Sequence, residues 1–321
     1  LDQGFEHFVT SIHQAIDAAE PNTYFLFDLL SSLTDKFISE RMLGNFFSLI
    51  CPYIWDKQHF GYFAILRNHH PYFAAFPVED TTQILVDVFH QGEKLYIHPK
   101  KVEYRESAAM FLVHRWEGDQ LIPIKNSAET VKALRSESWA GLQSASYRMI
   151  GRWDQQFMQA ETLLQKYENS EIPKEVVDEY LEHLLPQLIS LDKKILEMFI
   201  EFFTLSDIVE IWKRTIGSGT IGGKSVGMLL SRAIIRVKRP DLLEHLEEHD
   251  SFFIASDVFY SFLIENDCWW IRKQQQDPDT LFNTVEEGQS RIMAGTFPDY
   301  IVKRFSDMLD YMGQMPIIVR S

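Results

Sequence analysis

Glycines and a lysine make residues 215–228 (TIGSGTIGGKSVGM) the stretch of this sequence best suited to bind phosphate. Five of the chain's 15 glycines lie here, and an apolar helical pattern follows directly, with Lys224 at the junction. Glycine frees the backbone and lets a ligand approach the main chain closely. Because the N–H groups at a helix N-terminus attract anions, the pattern predicts a phosphate-binding loop. A flexible hinge between two domains is the alternative that these residues alone leave open.

The P-loop pattern G-x-x-x-x-G-K-[ST] fits this stretch to within one residue. Counting back from Gly223 and Lys224, the position of the first glycine is occupied by Ser218. A P-loop also follows a buried strand, whereas residues 207–214 (DIVEIWKR) have the pattern of an amphipathic helix. We therefore reject a P-loop and expect a phosphate loop of another kind.

Three motifs in order resemble the ATP-binding region of the phosphoenolpyruvate synthase and pyruvate phosphate dikinase family. They are the Gly222-Gly223-Lys224 loop that opens a helix, the strand and helix start in FFIASDVFYSFLIEN, and the strand-like run that ends in VRS at residue 321. The resemblance covers residues 215–321 and implies the first part of an ATP-grasp domain. It also implies an ATP site, and the residues expected to bind the nucleotide are Gly222, Gly223, Lys224, Arg320 and Ser321.

Two cations carry the expected chemistry of this site. Lys224 supplies a mobile point charge, and Arg320 supplies a planar fork that can donate two parallel hydrogen bonds to phosphate. The resemblance implies that both stabilise charge on the transferring phosphoryl group. Ser225 and Gly227 depart from the family's usual residues after the lysine, which affects the expected shape of the loop more than the role of Lys224.

The resemblance further implies a parent phosphotransferase that uses ATP and Mg²⁺ to phosphorylate a histidine, and then pyruvate or another acceptor. The family's acidic Mg²⁺ ligands and its phosphocarrier histidine motif are absent from this sequence, so we assign no metal ligand. We expect the 321-residue chain itself to be inactive as an enzyme. The alternative is a non-catalytic regulatory or interaction module with a relic nucleotide site.

The elements before the loop are predicted to form an α/β unit over residues 1–125, because short apolar runs alternate there with helical patterns. We expect a sheet of parallel character, with buried strands at residues 24–28 and 62–66, a helix at 78–89, and strands at 94–98 and 110–114. The segment resembles the second half of a RecA-like ATPase domain. That resemblance implies that Asp28 holds a Mg²⁺-bound water, and a turn cap is the alternative role.

Two groups of side chains in this unit are candidate sites. His59, His69, His70 and Glu79 include metal-ligating residue types, but no helical i, i+4 ligand pair sets their spacing, so polar loop histidines are favoured. Lys100, Lys101 and Arg105 form a basic cluster that could touch a phosphate across a subunit interface. A solvated loop is the favoured interpretation of that cluster.

Residues 126–214 contain little glycine and have strong apolar periodicity, which predicts a helical connector that spaces two domains or mediates homo-oligomerisation. Together with residues 1–125 and 215–321 this gives a multidomain protein of the α/β and α+β classes. Because Leu1 is not a methionine and the chain stops at Ser321 directly after a strand-like run, we expect a piece of a longer protein.

Composition limits the function classes. The net charge of −15 argues against general nucleic-acid binding, which depends on clustered lysine and arginine. Cys51 and Cys268 are the only cysteines, so neither a disulfide framework nor a zinc site of the usual spacing is predicted. No apolar run reaches the roughly 18 residues of a membrane-spanning helix. We therefore expect a cytoplasmic protein that does not enter the membrane.

Overall fold

The computed structural model describes residues 4–34, 39–67, 69–135, 151–190, 192–247, 250–275, 277–280, 282–313 and 315–320. These residues form a mixed α/β structure that divides into two compact units. The loop unit comprises Leu1–Phe8, Ser32–Asn45 and Gly151–Ser321, and the sheet unit comprises Val9–Ser31 and Phe46–Ile150. Across the described ranges, no helix combines the length and the apolar character needed to cross a bilayer.

The sheet unit contains two small sheets, whose strands are β1 (Tyr24–Phe27), β2 (Phe60–Phe63), β3 (Ile84–Gln91), β4 (Lys94–Val102), β5 (His114–Glu117) and β6 (Gln120–Pro123). β1 pairs in parallel with β2, and β3 to β6 form an antiparallel sheet in chain order. The first helices of the chain are α1 (Phe5–Asp17), α2 (Glu40–Asp56), α3 (Tyr72–Thr81) and α4 (Ser127–Arg135). In the described sheets of residues 1–125, the predicted parallel pairing is therefore limited to β1 and β2.

The helix predicted at residues 78–89 is wrong beyond Thr81. α3 ends there, because Thr82 has an extended backbone with φ −72° and ψ 145°. Residues 84–91 form β3 instead, and β3 pairs with β4 along its length. Side chains on this strand alternate between more and less exposed positions, which is the period of a strand and not of a helix. The strand predicted at 110–114 is also misplaced, since β5 begins only at His114.

The predicted burial of the first two strands is also wrong. Tyr24 and Leu26 on β1 are 65% and 75% exposed, and Tyr62 on β2 is 56% exposed. Successive side chains of a strand point to opposite faces, and Phe27 on the other face packs against Phe46 of α2. Only one face of this sheet is therefore covered.

The loop unit is mainly helical, and its remaining helices are α5 (Arg152–Glu168), α6 (Lys174–Leu188), α7 (Lys193–Phe202), α8 (Leu205–Lys213), α9 (Gly223–Lys238), α10 (Ser256–Glu265), α11 (Trp269–Gln275), α12 (Val285–Ala294) and α13 (Asp299–Met312). α8 confirms the amphipathic helix predicted at 207–214, and Thr204 and Asp207 cap it reciprocally. The part of the predicted connector helix at 139–150 lies outside the described residues.

One apolar core joins the helices of the predicted connector to α9. It includes Phe157 of α5, Leu184 of α6, Phe199 of α7, Ile208 of α8 and Ala233 of α9. Helices α5 to α8 thus pack with the helix that follows the glycine loop. The domain boundaries expected at residues 125 and 214 stay predictions.

Candidate functional site

The glycine loop connects a short strand to α9. β7 (Thr215–Ile216) pairs in parallel with β8 (Phe253–Ile254), and α9 begins at Gly223 with Gly222 as its N-cap. α10 begins just after β8, so both strands lead into helix N-termini. We call residues 217–221 the anchored segment and residues 222–227 the open segment.

The glycines of the anchored segment are required by the fold. Gly217 and Gly219 have φ values of +88° and +101°, a region in which side chains other than glycine are strained. A Cβ on Gly217 would lie 2.3 Å from Oδ1 of Asp257, and one on Gly219 would lie 2.7 Å from Oγ of Ser256. Both positions therefore need glycine for conformation and for space.

Hydrogen bonds attach the anchored segment to its surroundings. The Ser218 N–H donates to Oδ1 of Asp257 at 2.8 Å, and the Ser218 hydroxyl donates to Oδ2 at 2.6 Å. The N–H of Ser256 donates to the Thr220 carbonyl at 3.0 Å, and the N–H of Ile221 donates to the Leu188 carbonyl at 2.9 Å. This half of the loop is thus fixed by α10 and by the end of α6.

Asp257 is the buried acid that organises this segment, with only 1% of its surface exposed. Burial raises the pKa of its carboxyl to about 6, because a charge is costly away from water. The two Ser218 donors and the nearby Arg41 act in the opposite direction and favour the ionised form. The Arg41 guanidinium itself lies 3.4 Å from the centre of the Tyr300 ring.

The glycines of the open segment have no such requirement. A Cβ built on Gly222, Gly223 or Gly227 would meet no atom of the described residues within 4 Å. None of the three has a positive φ, and all three are exposed. Gly223 and Gly227 are four residues apart in α9, so they lie on one helix face, and no described side chain packs against this face at either glycine.

Lys224 lies in the first turn of α9, between Gly223 and Ser225, and its side chain is exposed. An α-helix leaves the N–H groups of its first turn without intrahelical acceptors. Lys224 is therefore placed where a lysine charge and backbone donors can face the same ligand. These features suit an anion with several oxygen atoms.

Arg320 lies apart from the regular structure. The strand predicted at 316–319 is not formed: residues 315–320 have no regular secondary structure, and Ile318 and Val319 are both 80% exposed. The described residues of this segment pair with no other strand, so nothing satisfies a strand's backbone hydrogen bonds. Arg320 is exposed, like the rest of residues 315–320. Ser321 lies outside the described residues.

The histidines and the basic cluster predicted as candidate sites have structural contacts in the sheet unit. His59 accepts a hydrogen bond from the Thr23 N–H through Nδ1 at 3.2 Å, and Nε2 of His70 lies 2.7 Å from the Ser31 hydroxyl. Lys101 donates to the Asp80 carbonyl near the end of α3 at 2.7 Å. Within the described ranges, no three metal-ligating side chains lie together. Asp28 follows β1 directly, and its proposed role with Mg²⁺ stays a prediction.

Sequence reasoning did not single out Asp257. A signal was present, because this acid interrupts the apolar stretch FFIASDVFYSFLI just where a helix begins. A lone carboxylate in a buried segment needs specific donors, and Ser218, 39 positions earlier in the chain, supplies two of them. The pairing is visible only in the folded chain.

Comparisons of this chain with protein-family models, with curated proteins and with solved structures found no match. The resemblance to the phosphoenolpyruvate synthase and pyruvate phosphate dikinase family thus depends on the motifs of residues 215–321. What the loop can do chemically has to follow from its own geometry.

Proposed function

We propose that the open segment binds the phosphates of ATP, as part of an ATP-grasp domain in a phosphotransferase similar to phosphoenolpyruvate synthase and pyruvate phosphate dikinase. The observation that carries the proposal is the set of three exposed glycines, Gly222, Gly223 and Gly227, for which the fold gives no steric or conformational reason. A ligand that must reach the backbone supplies such a reason.

Energetics support this interpretation. Glycine inside a helix destabilises it by roughly 0.5–1 kcal/mol relative to alanine. Gly227 lies in the second turn of α9, and no close packing against it offsets this cost. A residue that weakens its own helix without a packing role is typical of a place where function limits side-chain size.

In this proposal the chain's own groups have separate tasks. The N–H groups of the first turn of α9 orient phosphate oxygens, and the Lys224 ammonium neutralises their charge. The Ser218–Asp257 hydrogen bonds hold the preceding backbone so that α9 always begins at the same place. ATP brings Mg²⁺, and its protein ligands are expected from other parts of the parent protein.

Arg320 supplies the second cation of the proposed ATP site. Its guanidinium belongs to an exposed segment without regular structure, so its participation requires residues 315–320 to pack toward the loop when nucleotide is bound. Ser321 would then add a hydroxyl donor beside it. In the parent protein the phosphoryl group would pass to a histidine and on to pyruvate or another acceptor, in the cytoplasm.

The test is ATP binding by this chain, measured by titration calorimetry for the wild type, Lys224→Ala and Lys238→Ala. Both lysines belong to α9, but Lys238 lies at its other end and pairs with Glu201. We expect Lys224→Ala to weaken ATP binding about 10- to 100-fold, the value of a charge-assisted hydrogen bond, and Lys238→Ala to leave it unchanged. Equal affinities in all three proteins would refute the proposed site.

A non-catalytic module with a relic nucleotide site is the second candidate. One observation favours it: Asp257 accepts a hydrogen bond from the Ser218 N–H, which a phosphate loop would otherwise offer to its ligand. Absence of measurable ATP binding in the wild-type chain would support this candidate over the enzyme.

A further inference from the structure

A cavity of about 310 Å³ lies beside the second half of α9, away from the glycine loop. Its apolar lining includes Phe203, Leu229, Ala233 and Phe253. Three arginines, Arg214, Arg232 and Arg236, lie around this lining. Small-molecule sites commonly combine such a mostly apolar cavity with a few placed polar groups, and the volume lies at the lower end of their range.

The three arginines differ in what they already bind. Arg236 donates to both oxygens of Asp207, at 2.6 and 2.8 Å, and to the Phe202 carbonyl at 3.2 Å. Arg214 forms an ion pair with Asp250. Both guanidinium groups are therefore already paired with acids, and the Arg236–Asp207 pair joins α9 to α8.

Arg232 makes fewer contacts than the other two arginines. Among the described residues it makes a single hydrogen bond, from Nη1 to the Glu247 carbonyl at 2.8 Å, and no ion pair. A guanidinium carries five N–H donors, so most of those on Arg232 remain for another acceptor. The acids of the lining do not neutralise it, because Asp207 pairs with Arg236 and Glu210 lies 3.0 Å from Lys213.

We propose that this cavity binds a small organic anion: a phosphate monoester or carboxylate that Arg232 holds, with an apolar or aromatic body against Leu229 and Phe253. The site is separate from the glycine loop. Arg232 follows Lys224 by eight residues of α9, which corresponds to about 12 Å along the helix axis. ATP is not the ligand expected in this cavity, because its triphosphate has too little apolar surface to bury against the lining.

The experiment measures fluorescence anisotropy of 1-naphthyl phosphate titrated with the 321-residue chain. The neutral 1-naphthol is titrated in the same way, and inorganic phosphate is measured by its competition with 1-naphthyl phosphate, so that each of the two lacks one half of the ligand. Variants are Arg232→Ala, Leu243→Glu, which places an acid at the half-exposed edge of the cavity, and Lys224→Ala. Arg291→Ala is the matched control, because Arg291 lies on α12 and pairs with Glu287.

We expect 1-naphthyl phosphate to bind at least about tenfold more tightly than 1-naphthol or inorganic phosphate. Arg232→Ala and Leu243→Glu should each weaken its binding about tenfold or more, while Lys224→Ala and Arg291→Ala leave it unchanged. Circular dichroism that matches the wild type shows that each variant is folded. Equal binding of the neutral probe, or insensitivity to both cavity variants, would overturn the proposal. Loss of binding in Lys224→Ala would place the probe at the glycine loop and overturn it as well.

Discussion

The anchored and open segments of the loop are both rich in glycine, yet their glycines differ in backbone conformation and in the space around them. Gly217 and Gly219 have positive φ values and face atoms that a methyl group would strike. Gly222, Gly223 and Gly227 have neither feature and face open space. The same residue type therefore serves the fold in one segment and leaves the backbone accessible in the next.

Within the eleven residues from Gly217 to Gly227, the anchored segment should therefore affect stability and the open segment ligand binding. Substitutions in the anchored segment should destabilise the protein and affect ligands only indirectly. Substitutions in the open segment should leave the fold intact or improve it, and should affect ligands directly. The following variants are ordered by the size of the expected effect.

Gly217→Ala should have the largest effect. The new Cβ would strike the Asp257 carboxylate, and the backbone has φ +88°. Backbone strain and overpacking together should lower the free energy of unfolding by about 4 kcal/mol. Urea unfolding followed by circular dichroism measures this loss, with Gly222→Ala as the control that should change stability by less than about 0.5 kcal/mol. Similar losses in both variants would remove the distinction between the segments.

Asp257→Asn should remove the contribution of this carboxyl to the pH dependence of the free energy of unfolding. The ordinary pKa of the carboxyl is 3.8 and burial raises it to about 6, so only the unfolded state ionises between these values. The folded state therefore loses stability as pH rises from about 4 to about 6, by up to about 3 kcal/mol, and the loss is complete above pH 6. Asparagine keeps hydrogen-bonding groups for Ser218 but cannot ionise.

The measurement is the unfolding free energy of the wild type minus that of Asp257→Asn across this pH range. Taking the difference cancels the contributions of other groups, including the His98 imidazole, whose pKa burial lowers. The difference should fall as pH rises. A difference that stays constant or rises with pH would show that Asp257 is not a buried acid of raised pKa.

Gly227→Ala should have the smallest effect on stability, and with the opposite sign. Its Cβ meets no atom within 4 Å, so the alanine should raise the free energy of unfolding by about 0.5–1 kcal/mol. If phosphate approaches this helix face, the same change should weaken ATP binding. A variant that is less stable than the wild type would mean that Gly227 has a role in the fold.

The sequence alone predicted several local features correctly, because they depend on neighbouring residues. The helix that begins at the second glycine of the Gly222-Gly223-Lys224 motif and the amphipathic helix α8 follow from helical periodicity. The ATP assignment of these residues stays a proposal. The difference between the two kinds of glycine was not predicted, since it depends on Asp257 and Ser256 contacting the loop across the chain.

The predictions that the structure contradicts also depend on contacts between distant parts of the chain. Residues 84–89 form a strand because they pair with β4; the sequence predicts a strand at 94–98 but does not show which segment pairs with it. Burial of Tyr24 and Leu26 was assumed from their apolar character, although only one face of a strand need be covered. The strand expected before Arg320 lacks a pairing strand in the described residues, and an apolar sequence does not supply one.

The most direct test of the central claim is an amide-resolved NMR titration of the ¹⁵N-labelled chain with ATP. Phosphate bound by the open segment should shift the amide signals of Gly222, Gly223 and Lys224 most strongly. The signals of Gly217 and Gly219, whose segment is fixed by the Ser218–Asp257 hydrogen bonds, should move much less. The account would be contradicted if saturating ATP left the amide signals of the open segment in place, or if it shifted those of the anchored segment more.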